Sequence, residues 1–337
     1  MPFDALDPGV TEALRAWRMQ ESAGVALEKT FATAAGSCGS LEAQRCFLEA
    51  SRRAVSGAAP HELIEAFEPI LPPAERAVLA AGFRTGRLDR MLDCLISRRE
   101  LWHRARRQIR AKLLLPIGIL AAASVIAPLP GLILGGSTLL FVVGMALPLS
   151  AAFVLWRAAN AFIRARQFAQ ASGETAAPES RIDGLLLSIP LVARFERLRN
   201  LGEFASVLGH LTGAGVLLSE SLGICAATLP NGRYRSAASR LADGARSGRT
   251  LSECLSADPA WPQELTTAFS VGERSGTLEE ACLRLAAAYR EDYQRAVDQL
   301  ADWVPRILYL LVALFVVFCI AMLALNVAAS IRDAMNG

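Results

Sequence analysis

Charge is absent from two long stretches of this 337-residue chain. Leu113 to Trp156 contains no Asp, Glu, Lys or Arg, and neither does Ile307 to Ile331. A bilayer core about 30 Å thick takes roughly 20 apolar residues of helix. The first stretch is therefore long enough for two spans and the second for one. Pro128-Leu129-Pro130-Gly131 interrupts the first near its middle, and such a cluster favours a turn over one very long helix. Spans are expected at about 111–130 and 135–156, forming a hairpin over 111–156, with a third over 305–331. The hydrophobic fraction of 53% and mean hydropathy of +0.33 fit this excess.

Other scarcities narrow the chemistry. The three histidines, His61, His103 and His210, are scattered, so zinc spacing is missing and no metal is expected. No pair among the seven cysteines forms CxxC, and six lie in regions expected to be cytoplasmic; they read as reduced packing residues. Gly244-Ala245-Arg246-Ser247-Gly248-Arg249-Thr250 resembles a phosphate loop only faintly. It has three residues between its glycines, where four are required, and Arg249 replaces the lysine. No cofactor and no enzymatic activity are expected. Met1 to Gly9 lacks a basic region leading into an apolar run, so it does not read as a signal peptide. Runs of β-branched residues are also missing, and alanine and leucine dominate segments of helical length. The fold class expected is all-α.

Basic residues beside the spans set the orientation. Arg98, Arg99, Arg104, Arg106, Arg107, Arg110 and Lys112 precede span one, opposed by Glu100. Arg157, Arg164 and Arg166 follow span two. Both hairpin flanks are expected in the cytoplasm and its tip outside. Parity then puts the start of span three inside and the C-terminus in the periplasm. A basic collar at a membrane boundary suits lipid headgroups better than nucleic acid.

A segment occurs twice. Gly82-Phe83-Arg84-Thr85-Gly86-Arg87-Leu88 aligns with Gly272-Glu273-Arg274-Ser275-Gly276-Thr277-Leu278 at an offset of 190. Gly24 matches Gly215, Ser56-Gly57 matches Ser247-Gly248, and Glu62 matches Glu253, all at an offset of 191. An offset held over this length argues for duplication. Copy one is expected in a cytoplasmic helical bundle over 1–110 and copy two in another over 185–304. A linker fills 157–184 and a short tail 332–337. Two glycines flanking a polar triplet predict a tight corner between helices. Glu273 can accept hydrogen bonds from nearby backbone N–H groups or pair with an arginine. After Gly276, apolar residues at Leu278, Cys282, Leu285, Ala286, Tyr289, Tyr293, Val297, Leu300 and Val304 predict one buried helix face. Thr277 with Glu280 can form a capping box at its start.

The duplication, the Gly272-Glu273-x-x-Gly276-x-Leu278 motif and the two-plus-one span pattern resemble the type II secretion system F domain family, from about Gly24 to Leu325. Phe204, Leu208, Leu211 and Gly215 fit the family's helix and turn. In copy one Gly82, Gly86 and Leu88 fit, but Phe83 stands where the glutamate is expected. Trp17 and Met19 make copy one the more diverged, and an N-terminal extension common in the family is almost missing, which points to a type IVb-like pilus branch. The resemblance implies a multi-pass inner-membrane platform of type II secretion or type IV pilus assembly. Such a platform couples a cytoplasmic hexameric ATPase to pilin or pseudopilin subunits. It also implies further inner-membrane assembly partners and a homo-oligomer. Gly272, Glu273, Gly276, Leu278, Gly82, Gly86, Leu88 and Gly215 are the candidate partner-contact residues. The alternative reading is a small transporter or channel subunit. Transporters place ionisable residues at mid-membrane, and these spans carry none. Ser124, Ser137 and Ser150 lack a nearby histidine or aspartate, which argues against a membrane-bound enzyme.

Overall fold

The computed structural model describes residues 7–126, 157 and 190–336. The expected second span at 135–156 and almost all of the linker lie outside the described residues. Twelve helices are described, six in each copy. Copy one holds α1 (Pro8–Ser22), α2 (Leu27–Gly36), α3 (Leu41–Val55), α4 (Pro60–Glu65), α5 (Pro73–Thr85) and α6 (Leu88–Ile126). Copy two holds α7 (Pro190–Gly213), α8 (Leu218–Thr228), α9 (Gly232–Arg246), α10 (Leu251–Ser256), α11 (Gln263–Ser275) and α12 (Leu278–Asn336). The chain forms two compact units. One contains residues 1–104 and 166–296, so it takes in both copies; the other contains 105–165 and 297–337.

The sequence dictates many of the helix ends. Asp7 accepts the Gly9 N–H at 2.9 Å, and Pro8 opens α1 with a preset φ. Ser40 caps α3 and Asn231 caps α9 in the same way. All six positive-φ glycines among the described residues fall into duplicated pairs: Gly24 with Gly215, Gly57 with Gly248, and Gly86 with Gly276. Each sits just past a helix end, where the left-handed region lets the chain reverse without a Cβ clash. The resemblance of Gly244–Thr250 to a phosphate loop is a by-product of this device. Gly244 lies in the last turn of α9, Gly248 makes the reversal at φ 80°, and Thr250 caps α10.

One face of each first helix is buried at matching positions: Val10, Ala13, Leu14 and Trp17 in copy one, and Leu201, Phe204, Ala205 and Leu208 in copy two. The predicted face of α12 is buried at Cys282, Leu285, Ala286, Tyr289, Tyr293 and Val297. Nothing is described for the Leu300 and Val304 side chains. Counted over the described residues, no helix is long and apolar enough to cross a membrane. The uncharged run from Ile307 to Ile331 nevertheless lies within α12 as helix, with only part of its side chains described. Those include exposed Leu310, Leu314, Val317, Phe318, Ile320 and Leu325.

Candidate functional site

The duplicated motif is a helix–turn–helix corner in both copies. In copy two, Gly276 takes φ 73° and its N–H bonds the Gly272 carbonyl, to which Thr277 N–H also donates at 2.9 Å. A Cβ on Gly272 would sit 3.0 Å from Leu278 Cα and 3.0 Å from Ala281 Cβ. The first glycine therefore serves close approach and the second serves reversal. Copy one repeats both roles. Gly86 has φ 67°, Arg87 N–H donates to the Gly82 carbonyl at 3.1 Å, and a Cβ on Gly82 would meet Met91 Cγ at 2.8 Å. Leu88 is buried beneath its corner and Leu278 half-buried beneath the other. Gly215 reverses the chain between α7 and α8 at φ 80°. Thr277 Oγ1 lies 2.6 Å from Ser275 Oγ, and the capping box found in this copy is the one formed by Thr250 and Glu253 on α10.

Glu273 accepts two backbone hydrogen bonds, from Leu251 N–H at 2.9 Å and Ser252 N–H at 3.2 Å. It caps the start of α10 from a neighbouring helix, and a carboxylate there also suits the positive end of the helix dipole. Phe83, its counterpart, has an equally local explanation. The residue matching Leu251 in copy one is Pro60, which has no N–H to satisfy. Phe83 instead packs against the copy-one core, its ring centroid 6.2 Å from that of Trp17. Sequence reading noted Phe83 alone and did not connect it with Pro60, which lies 23 positions earlier.

A second constellation joins the copies. Arg98 on α6 approaches Glu203 on α7 at 2.7 Å, stands 3.8 Å from Glu75 on α5, and donates to the Thr228 carbonyl at 3.1 Å. Arg99, 1% exposed, donates to Glu75 at 2.6 Å. The expectation that Arg98 and Arg99 belong to a lipid-facing collar is thus corrected, since both guanidinium groups turn into the protein. Arg104 does lie exposed, paired with Glu100 at 2.8 Å. The missed signal was phase. Arg98 and Arg99 continue the buried series Met91, Leu92, Cys94 and Leu95, and Glu75 continues Val78 and Leu79.

Electrostatics at this seam follow from burial. Burial raises the Glu203 carboxyl above its ordinary value; Arg98 and Arg199 pull it down, while Glu75 and Glu196 add to the rise. Burial lowers the affinity of Arg98 for its proton, but Glu203 and Glu75 outweigh it and hold the guanidinium above its usual value. Glu203 Oε1 has no aligned hydrogen bond despite its short approach to Arg98, so the contact acts mainly as an ion pair. Beside the pair is a cavity of about 50 Å³ lined in part by Cys94, Ser206, Tyr289 and Arg290. Burial pushes the Cys94 thiol up to about 12, leaving it a neutral packing group. Among the described residues no three His, Cys, Asp or Glu side chains converge as a metal site requires. The arrangement locks one copy against the other.

Sequence comparison agrees with the duplication. The family described as "Type II secretion system (T2SS), protein F" matches residues 13–136 and 204–325, one region in each copy. Type II secretion system protein F of Pseudomonas aeruginosa is 29% identical over 284 residues, covering 80% of this chain and 70% of that protein. Type 4 fimbrial assembly protein PilC of Pseudomonas putida is 30% identical over 131 residues, 39% of this chain and 33% of that protein. Type IV pilus assembly protein PilC of Thermus thermophilus is 24% identical over 257 residues, 72% and 63% of the two chains. With both copies matched and most of its length covered, the chain belongs to the type II secretion system protein F family.

Proposed function

We propose that the chain is a multi-pass inner-membrane platform of a type II secretion or type IV pilus machine, coupling a cytoplasmic assembly ATPase to pilin or pseudopilin polymerisation. The observation that carries this reading is the exposed apolar surface of α12. Between Ile307 and Ile331 nearly every described side chain is exposed, although the run holds no charge. At 1.5 Å per residue such a helix extends about 37 Å, enough to cross a bilayer core. Leu310, Leu314, Val317 and Phe318 are costly in water and at home in lipid. Spans at 111–130, 135–156 and 305–331, cytoplasmic copies and a periplasmic C-terminus complete the topology. The buried seam supports a mechanical role, because a force on one copy is borne by the other through Arg98, Glu203 and Glu75. The energy then comes from a partner ATPase and the chain performs no chemistry itself.

The test is deletion of the chain from a strain that makes the filament or secretes the substrate. Assembly is expected to stop while pilin and ATPase levels stay constant. Filaments of ordinary number and length without the chain would overturn the platform role. A reporter fused at Gly337 is expected to read as periplasmic; a cytoplasmic reading would overturn the topology.

A further inference from the structure

Duplication gives the α5–α6 face of copy one a counterpart on α11–α12 of copy two, and the two faces have different fates. In copy one the face is covered by copy two. Helix α5 packs on α8, Arg84 pairs with Glu220, and Arg90 pairs with Glu279 while reaching the Gly213 carbonyl. In copy two the counterpart is an open groove of about 630 Å³. Ala81 is 0% exposed, whereas its counterpart Val271 is 53% exposed. Buried Cys94 becomes exposed Arg284, and buried Ala74 becomes exposed Glu264. Ala268, Ala281 and Leu285 keep the groove's lining partly apolar.

The charges indicate what can fill this groove. A second copy of the chain, docked as copy two docks on copy one, would present α2 in place of α8. Lys29 would then stand where Glu220 stands, and Asp89 where Glu279 stands. Arg274, the counterpart of Arg84, would meet Lys29. Glu280, the counterpart of Arg90, would meet Asp89. Two ion pairs would become two like-charge contacts, which act against the wrong partner. The charge reversal from Arg90 to Glu280 calls for a cation on the occupant where copy two itself supplies an acid.

We propose that the α11–α12 groove docks an amphipathic helix of another protein of the assembly machine. Its small apolar face lies over Ala268 and Val271, a basic side chain meets Glu280 and an acidic one meets Arg274. The groove does not dock a second copy of the chain. Glu264, Glu280 and Arg284 stay hydrated when it is empty, which suits a partner that comes and goes better than a permanent interior. This inference rests on the platform role proposed above.

The experiment places the photo-crosslinking residue p-benzoylphenylalanine at position 271 of the full-length chain, in membranes of a strain carrying the whole machine. The expected result is an adduct with another component of that machine. Its crosslinked peptide, sequenced by mass spectrometry, should be helical and carry a lysine or arginine. Glu280→Arg should reduce the adduct at least tenfold, and the same probe at exposed Leu41 should not form it. Crosslinking to a second copy, a yield indifferent to Glu280→Arg, or no adduct beyond that at Leu41 would each overturn the proposal. The milder Val271→Ala, with unchanged thermal unfolding, should weaken assembly without loss of fold; unaltered assembly in both Val271→Ala and Glu280→Arg would also count against the groove. Failure of the platform role reads differently, as normal assembly when the whole chain is deleted.

Discussion

Trp17 stands at the centre of copy one, where copy two has Leu208; Phe204 fills copy two, where copy one has Ala13. The exchange continues through the cores. Phe31 and Phe47 cluster on Trp17 with ring centroids 4.8 and 6.4 Å away, at positions held by Leu222 and Ala238 in copy two. Phe269 and Trp261 surround Phe204 instead, at positions held by Leu79 and Leu71 in copy one. Large rings have moved between helices while the six-helix path and its three glycine reversals stayed. What persists is backbone geometry; what drifts is how volume is shared. The seams between first and last helices differ in kind as well. Copy one joins α1 to α6 through Arg15 with Glu100 and Arg18 with Asp93. Copy two brings α7 and α12 close enough that a Cβ on Gly209 would touch Cys282 at 3.0 Å.

The strongest way to break the pairing of the copies is at their shared ion pair. Glu203→Ala should leave the buried Arg98 with only the Thr228 carbonyl and the more distant Glu75, and cost up to about 3–5 kcal/mol, read by denaturant unfolding of the purified chain. Glu203→Leu with Arg98→Met should recover most of that loss. If the single and double variants were equally unstable, the pair would not be what joins the copies.

The corners come next and should behave alike in both copies. Gly86→Ala and Gly276→Ala each force a side chain into the left-handed region, at roughly 1–2 kcal/mol. Thermal unfolding checks this, and a large difference between the two would deny the equivalence drawn from the duplication. The caps should behave differently. Glu273→Ala should cost about 1 kcal/mol by freeing the Leu251 and Ser252 N–H groups. Phe83→Glu should bring no matching gain, since Pro60 offers no donor, His61 leaves at most one of the two N–H groups, and the ring's packing on Trp17 is lost. Hydrogen exchange of α10 amides in Glu273→Ala reports the first effect directly.

The smallest expected effect is on acid sensitivity. Burial would raise Asp258, but the Ala260 N–H and the Arg240 guanidinium outweigh it and hold the carboxyl below its ordinary value. Glu100 in copy one is likewise held low, by Arg15 and Arg104 against burial. Both groups therefore stabilise the fold above their unfolded values near 3.8 and 4.5, and lose that contribution as pH falls through the lowered folded values. Glu203 has the opposite sign: its raised value makes its contribution fullest below about 4.5 and weaker as pH rises through the folded value. Asp258→Asn should flatten the acid limb of a stability–pH curve slightly, and an unchanged limb would contradict the assignment.

Much of this was legible in residue order. The offset near 190 located both corners, the threes and fours after Gly276 located the buried face of α12 as far as Val297, and the five-residue pattern with its two glycines located the reversals at Gly86 and Gly276. Two things were not. Arg98 and Arg99 looked like a collar because charge next to an uncharged run reads as a membrane flank; only their phase on α6 marks them as interior. Phe83 stood as an unexplained departure from the motif because Pro60, on the helix α4 that packs against α5, is distant from it in sequence.

The central claim is that one face is closed in copy one and open in copy two. Maleimide labelling of Ala81→Cys and Val271→Cys, each in the purified full-length chain with Cys38→Ser, tests it most directly. Position 271 should label at the rate of an exposed thiol and position 81 at least a hundredfold more slowly. Equal rates at the two positions would contradict the account.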